Sequence, residues 1–168
     1  MLVAGVTGAG KSTLARRLAT RLDLPFHEMD ALYHGPSWQP LDSFVAEVDR
    51  ISAAETWVFD SHGYPAVRDL VWSRADTVVW LDYSRPLVMA RVVRRSIARA
   101  TYDRELWNGN REGFRNWVEP GHPVRWAWSQ YAARRVDMLE RARDPAYGHL
   151  DLVHLEHPRA TRRWLDRL

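Results

Sequence analysis

Gly5-Val6-Thr7-Gly8-Ala9-Gly10-Lys11-Ser12 follows the pattern G-x-x-x-x-G-K-[ST]. Glycines at this spacing let successive backbone N–H groups turn inward around an anion. A lysine adds a compact positive charge, and the hydroxyl beside it can hold a divalent cation. This is chemistry for a polyphosphate. Gly8, Ala9, Gly10, Lys11, Ser12 and Thr13 would line it, with Lys11 reaching the β- and γ-phosphates and Ser12 holding Mg²⁺. Lys11 is the only lysine among 24 Lys and Arg residues, so the one exception to an arginine-dominated composition falls inside the motif.

Acidic residues recur where such a site would need them. Asp30, Asp60 and Asp82 each end a short apolar run. A metal held by Ser12 needs a carboxylate close by, directly or through water. Asp60 is the first choice and Asp82 the second, the competing role for Asp82 being to cap the turn after its strand. Arg68, in PAVRDLVW, could bind an anionic group of a second substrate, or could be taken up in an ion pair with Asp69 or Asp30. His34, His62 and Tyr64 are candidates for the same pocket. The seven histidines show no ligand-spaced cluster.

These residues need a scaffold, and the chain alternates short apolar runs with helical patterns. Leu2–Ala4, Leu24–Met29, Thr56–Asp60, Thr77–Asp82 and Leu150–Leu155 read as strands, the middle ones apolar enough to be buried on both faces. After the glycine-rich loop, Leu14, Leu18 and Leu22 repeat at i+4 and predict an amphipathic helix. Residues 41–54 read as a helix with Phe44, Val45, Val48 and Ile51 on one side. Residues 86–100 read as another, opened by Ser84 as N-cap with Pro86 in the first turn. Residues 122–143 and 160–168 complete the pattern. The expectation is α/β: a doubly wound parallel sheet with ligands bound beyond the C-terminal ends of its strands. All 168 residues are read as one domain.

Basic charge is concentrated rather than spread. Residues 85–125 hold nine arginines against four acids, while the other residues hold 15 basic and 17 acidic side chains. In PLVMARVVRRSIARA, Arg91, Arg95 and Arg99 recur at i+4 with Arg94 beside them, opposite Val88, Met89, Val92, Val93 and Ile97. This predicts a helix with one face on the core and one basic stripe. RELWNGNREGFRNW, residues 104–117, follows as an irregular segment broken at Asn108-Gly109 and Glu112-Gly113. It could be a phosphate-closing lid over residues 95–125, with Arg111 and Arg104 as phosphate ligands and Trp107 and Trp117 anchored on Trp126 and Trp128. It could also be a single-stranded nucleic-acid platform of interleaved aromatics and arginines. Its place after a strand and an Arg-striped helix favours the lid.

The segments GVTGAGKSTLA, MDALYHGPSW, RDLVWSRADTVVWLD and RELWNGNRE together resemble the small P-loop kinases related to adenylate, shikimate and gluconate kinases. Within these the chain looks most like the bacterial adenylate-kinase-like or topology modulation proteins. The resemblance implies the P-loop NTPase fold of the nucleoside- and shikimate-kinase type with an Arg-rich helical lid. It also implies ATP and Mg²⁺ as cofactors and a small-molecule phosphate acceptor. LPFHEMDALYH is similar to the second strand of the shikimate and gluconate kinases, where two acids follow at i and i+2. Here these are Glu28 and Asp30, which would share one face of an extended strand; the competing reading is a surface acid pair. Asp30 would orient the acceptor hydroxyl or take its proton, and residues 31–55 would form the acceptor-side arm. Arg91, Arg94, Arg95 and Arg111 would neutralise the triphosphate and the transferring group, and Arg159 would lie by the nucleobase loop. After the third strand, Asp60-Ser61-His62-Gly63-Tyr64 replaces the expected D-G-N-Y, and no AMP-binding pattern of true adenylate kinases occurs.

Composition narrows the alternatives. With no cysteine, disulfides and thiolate metal centres are excluded, and no apolar run reaches the ~18 residues of a membrane span. The opening MLVAG leaves no room for a signal peptide before the glycine-rich loop, which suits the cytoplasm. Asp60-Ser61-His62-Gly63 fits the D-x-x-G of GTPases, yet their N-K-x-D needs a second lysine. Three functions stay in view: a phosphotransferase acting on a small acceptor, a nucleoside monophosphate kinase, and a nucleic-acid-associated ATPase.

Overall fold

A computed structural model describes residues 1–101 and 123–168. Its elements are β1 (Leu2–Gly5), α1 (Lys11–Leu22), β2 (Phe26–His27), α2 (Met29–Tyr33), α3 (Phe44–Ser52), β3 (Val58–Phe59), α4 (Arg68–Arg74), β4 (Thr77–Leu81), α5 (Arg85–Thr101), α6 (Pro123–Arg143), β5 (Asp151–Leu155) and α7 (Pro158–Leu165). The five strands form one parallel sheet in the order β2-β3-β1-β4-β5. β1 is central, so the loop leaving its C-terminal end opens beside the strand ends of both neighbours.

Alternation along the strands divides the core into two layers. Val3, Val58, Val79, Leu81 and Leu155 face one side, with Leu14 and Leu18 of α1, Val88 and Val92 of α5, and Leu165 of α7. Leu2, Ala4, Phe59, Val78 and Trp80 face the other, with Val48 of α3, Val71 and Trp72 of α4, and Met138 of α6. α6 joins both layers, Ala127 packing in the first and Met138 in the second.

Several helix faces are rotated from the sequence expectation. Steps of four residues advance 40° around a helix, so Leu14 and Leu18 are buried while Leu22 has turned outward. Ala15 and Ala19 fill the stripe instead. On α3, Phe44, Val48 and Ile51 are buried but Val45 is exposed. On α5 the buried series is Val88, Val92 and Ser96, which leaves Ile97 outside.

The expected strands at 24–29 and 56–60 are shorter than read. Only Phe26 and His27 pair, with Val58 and Phe59. The chain then turns at Glu28 into α2, because Asp60 Oδ1 captures the backbone N–H of Met29 at 3.0 Å and starts a helix there. Of the lid span 95–125, residues up to Thr101 complete α5, and α6 begins at Pro123 with proline in the favoured first helical position. Arg104, Arg111, Trp107 and Trp117 lie outside the described residues. Among the described residues, no helix is long and apolar enough to cross a membrane.

Candidate phosphate and acceptor site

The loop between β1 and α1 is shaped by its glycines and by α5. Gly8 has φ 87° and Gly10 φ 100°, both in the left-handed region open to glycine. A Cβ on Gly8 would also collide with the side chain of Val92 and come within 3.0 Å of the Val88 carbonyl, so α5 lies flush against the loop. Gly10 is the N-cap of α1, and Lys11, Ser12 and Thr13 form its first turn, which contains no acid. The positive end of the helix is therefore left uncompensated from within, beside the Lys11 ammonium. Lys11 Nζ donates to the Val6 carbonyl at 3.2 Å.

Four charged groups act on Lys11. Burial pushes its ammonium down to about 8; Asp30 and Asp60 oppose that fall, while Arg134 and Arg95 add to it. Charges from α2, the β3 end, α5 and α6 thus act on the lysine of the loop. Asp60 is 6% exposed, its Oδ1 engaged by Met29. Asp30 Oδ1 accepts from the Tyr64 hydroxyl at 2.8 Å. Burial first, and then Asp30, raise the Tyr64 phenol above its ordinary range. His34 Nε2 lies 3.4 Å from the same hydroxyl, and the Tyr33 ring stacks on Tyr64 at 4.0 Å. Asp30 is therefore backed by an aromatic wall.

The expectation that Glu28 and Asp30 share a face is overturned. Because α2 begins at Met29, Glu28 precedes the helix and pairs with Arg16 at 2.8 Å, while Asp30 turns to Tyr64. Asp82 is also committed elsewhere. Both its oxygens accept from Arg135 Nε, at 2.9 and 3.1 Å, and one lies 3.0 Å from His154 Nε2. Asp82, His154 and Glu156 do place ligand-type atoms within 4.8 Å of one another, but a cation there would face the Arg135 guanidinium.

The arginines separate into distinct surroundings. Arg91 Nη1 donates to the Ala9 carbonyl at 2.9 Å and its guanidinium lies over the Tyr83 ring, which ties α5 to the loop. Arg95 is close enough to act on Lys11, while Arg94 is exposed. Arg68 is paired with neither acid named for it: its Nη1 reaches Asp137 at 3.2 Å and its Nε the Gly63 carbonyl, while Asp69 binds Arg141. Its charge is thus matched by a carboxylate of α6. Arg159 is exposed on the first turn of α7, where its backbone N–H donates to His157 Nδ1.

Local periodicity does not single out α6 as a source of site residues. Arg134 is half-buried beside His62, and its charge acts on Lys11 and feels Asp30 and Tyr64. Burial, then Arg68, hold its guanidinium below the ordinary arginine range. The signal available in sequence was Arg134-Arg135-Val136-Asp137, two adjacent arginines on one helix. Which of them faces the phosphate loop depends on how α6 crosses the sheet.

Among solved structures, a gluconokinase from Sinorhizobium meliloti 1021 matches 99% of this chain and 90% of its own, at 20% identity and a TM-score of 0.52. A shikimate kinase from Acinetobacter baumannii in complex with shikimate matches 99% and 88%, at 17% identity and a TM-score of 0.55. A sugar kinase from Janibacter sp. HTCC2649 matches 99% and 89%, at 18% and 0.50. No family model matches the chain, and neither does any curated protein. The fold is that of the small P-loop kinases.

Proposed function

We propose that this protein is an ATP- and Mg²⁺-dependent phosphotransferase that moves the γ-phosphoryl group of ATP to a hydroxyl of a small acceptor. The observation that carries this reading is the glycine-rich loop that joins β1 to the N-terminus of α1, with Lys11 bonded back into it and Asp30 held by the Tyr64 hydroxyl. Lys11 would bind the phosphates, and the charge of Asp30, a carboxylate that accepts from Tyr64, acts on it.

In this reading the loop N–H groups of Gly8–Thr13 and Lys11 bind the phosphates, and Arg159 borders the nucleobase. Arg91 fixes the loop, and Arg95, Arg94 and Arg111 offset the charge of the triphosphate and the transferring group. Asp30 aligns the acceptor hydroxyl and takes its proton as the oxygen attacks γ-phosphorus and the bond to the β-phosphate bridging oxygen breaks, leaving ADP. Tyr64 holds Oδ1 of Asp30, so the carboxylate is oriented before the acceptor arrives. Ser12 and Asp60 supply the oxygen donors that suit Mg²⁺, whose charge would offset that of the β- and γ-oxygens. Asp60 is a nearly buried carboxylate acting on Lys11, which fits that assignment. Arg68 and Arg134 are the cations on the acceptor side, and they favour an acceptor carrying an anionic group as well as a hydroxyl.

The test is a screen of purified protein and MgATP against sugars, sugar acids, shikimate-like hydroxy acids and nucleotides. The names of the structurally similar kinases put gluconate, sugars and shikimate first. ADP release should be stimulated by an acceptor and vanish in Lys11→Ala. ATP loss that needs no acceptor and is accelerated by oligonucleotides would refute the reading.

A further inference from the structure

Tyr83, two residues beyond β4, is 3% exposed, yet no step of the proposed reaction uses it. It is held at both ends. Its carbonyl accepts from the Tyr131 hydroxyl of α6 at 2.9 Å. Its own hydroxyl lies 2.6 Å from Thr161 Oγ1, on the first turn of α7. The Thr161 hydroxyl donates its one proton to the His157 carbonyl at 3.4 Å, so the phenol is the donor to Thr161. Between these anchors the ring faces the Arg91 guanidinium, which lies 5.2 Å from its centroid, within the range of a cation–π contact. Arg91 Nη1 donates to the Ala9 carbonyl at 2.9 Å, and a Cβ on Gly10 would come within 3.7 Å of the same nitrogen. A ring fixed by α6 and α7 thus stands behind the arginine that grips the phosphate loop.

We infer that Tyr83 is a positioning residue for the phosphate loop: its ring and the Ala9 carbonyl together hold Arg91 in place, and its hydroxyl ties that grip to the first turn of α7. A ring face attracts the guanidinium without occupying an N–H donor, so Nη1 keeps its bond to Ala9 while the group is braced. A carboxylate at this place would compete with the Ala9 carbonyl for those donors and offset positive charge beside the phosphates. An aliphatic side chain would fill the space without attracting the cation. The consequence for nucleotide binding rests on the proposed phosphotransferase reading, whereas the contact itself does not.

The Gly10 nitrogen shares a peptide group with the Ala9 carbonyl, so its resonance responds to the bond from Arg91. In nitrogen-15 spectra of the full chain without nucleotide, that signal should move in Arg91→Ala, and in the same direction in Tyr83→Leu. Tyr83→Leu should add nothing in the Arg91→Ala background. Tyr83→Phe and Thr161→Val, which break only the hydroxyl bond, should each cause a smaller shift, and together no more than either alone. A Gly10 signal indifferent to Tyr83→Leu, or moved by it equally when Arg91 is absent, overturns the inference. Calorimetric titration with MgADP supplies the functional readout. Tyr83→Leu should weaken binding about fivefold in the parent protein, the loss of one partly desolvated cation–π contact, and less than about twofold in Arg91→Ala. Equal losses in the two backgrounds would mean that Tyr83 does not act through Arg91, and overturn it. If Tyr83→Leu does not fold, Tyr83→Phe and Thr161→Val decide, and a Gly10 signal indifferent to both overturns the inference. If the parent protein binds no MgADP, the phosphotransferase reading falls and the spectra alone judge the contact.

Discussion

The charge of Lys11 is set first by burial and then by neighbours of both signs, and that makes it measurable. Its folded-state pKa of about 8 lies below the ~10.4 of an unfolded lysine. Between these values the unfolded chain binds more protons than the folded one, so this group makes stability rise as pH climbs through that window. Nucleotide binding works in the opposite direction, because phosphate oxygens favour the ammonium. ATP binding near pH 8.5 should therefore take up a proton, seen by calorimetry in buffers of different ionisation enthalpy. The uptake should disappear in Lys11→Met. Binding with no proton exchange would mean that Lys11 does not meet the phosphates. Arg95, on α5 like Arg91, acts on Lys11 through its charge. Arg95→Ala should lower kcat at least about tenfold with only moderate loss of ATP affinity, as removal of a transition-state charge does. Undiminished turnover in that variant would remove Arg95 from the reaction.

At the scale of elements, the contact that matters most is α5 on the phosphate loop. Gly8 touches Val88 and Val92, so its missing side chain is what lets the helix seat there and deliver Arg91 to the Ala9 carbonyl. Gly8→Ala should cost about 1–3 kcal/mol by overpacking, with added strain from its positive φ. It should weaken ATP binding in parallel; urea unfolding reads the first and titration the second. Parent-like stability would mean that α5 is free to move off the loop. Local pattern made much of this legible. The continuous apolar runs at Leu2–Ala4 and Thr77–Leu81 became buried parallel strands, and the glycine-lysine pattern became the strand-loop-helix it implies. What stayed hidden depended on partners far along the chain. β2 ends early because Asp60, 31 residues later, captures Met29. Arg68 is taken by Asp137 on a helix whose orientation no local periodicity encodes. Arg134 and Arg135 look alike in sequence, but the charge of one acts on Lys11 while the other pairs with Asp82.

At the scale of the whole chain, basic charge is concentrated along the sequence in residues 85–125, and the remainder is slightly acidic. Such a field attracts any polyanion, so net charge alone does not separate a nucleotide site from a nucleic-acid surface. The parallel sheet does separate them in energetic terms. Its central strand leads into the glycine-rich loop and Lys11, on which charges from α2, the β3 end, α5 and α6 act, and a ligand bound there would engage the folded state alone. Binding confined to the folded state stabilises it by about 2.7 kcal/mol at a hundredfold excess over Kd. For a chain of this length that corresponds to a rise in Tm of roughly 5–10 °C. MgATP should produce this rise in the parent protein, not in Lys11→Ala, and keep most of it between 50 and 200 mM salt. An oligonucleotide at equal phosphate concentration should give a smaller shift that fades over the same range, because its binding depends on releasing counterions. A large, salt-sensitive shift from the oligonucleotide alongside none from MgATP would transfer the basic region, and with it the function, to nucleic acid.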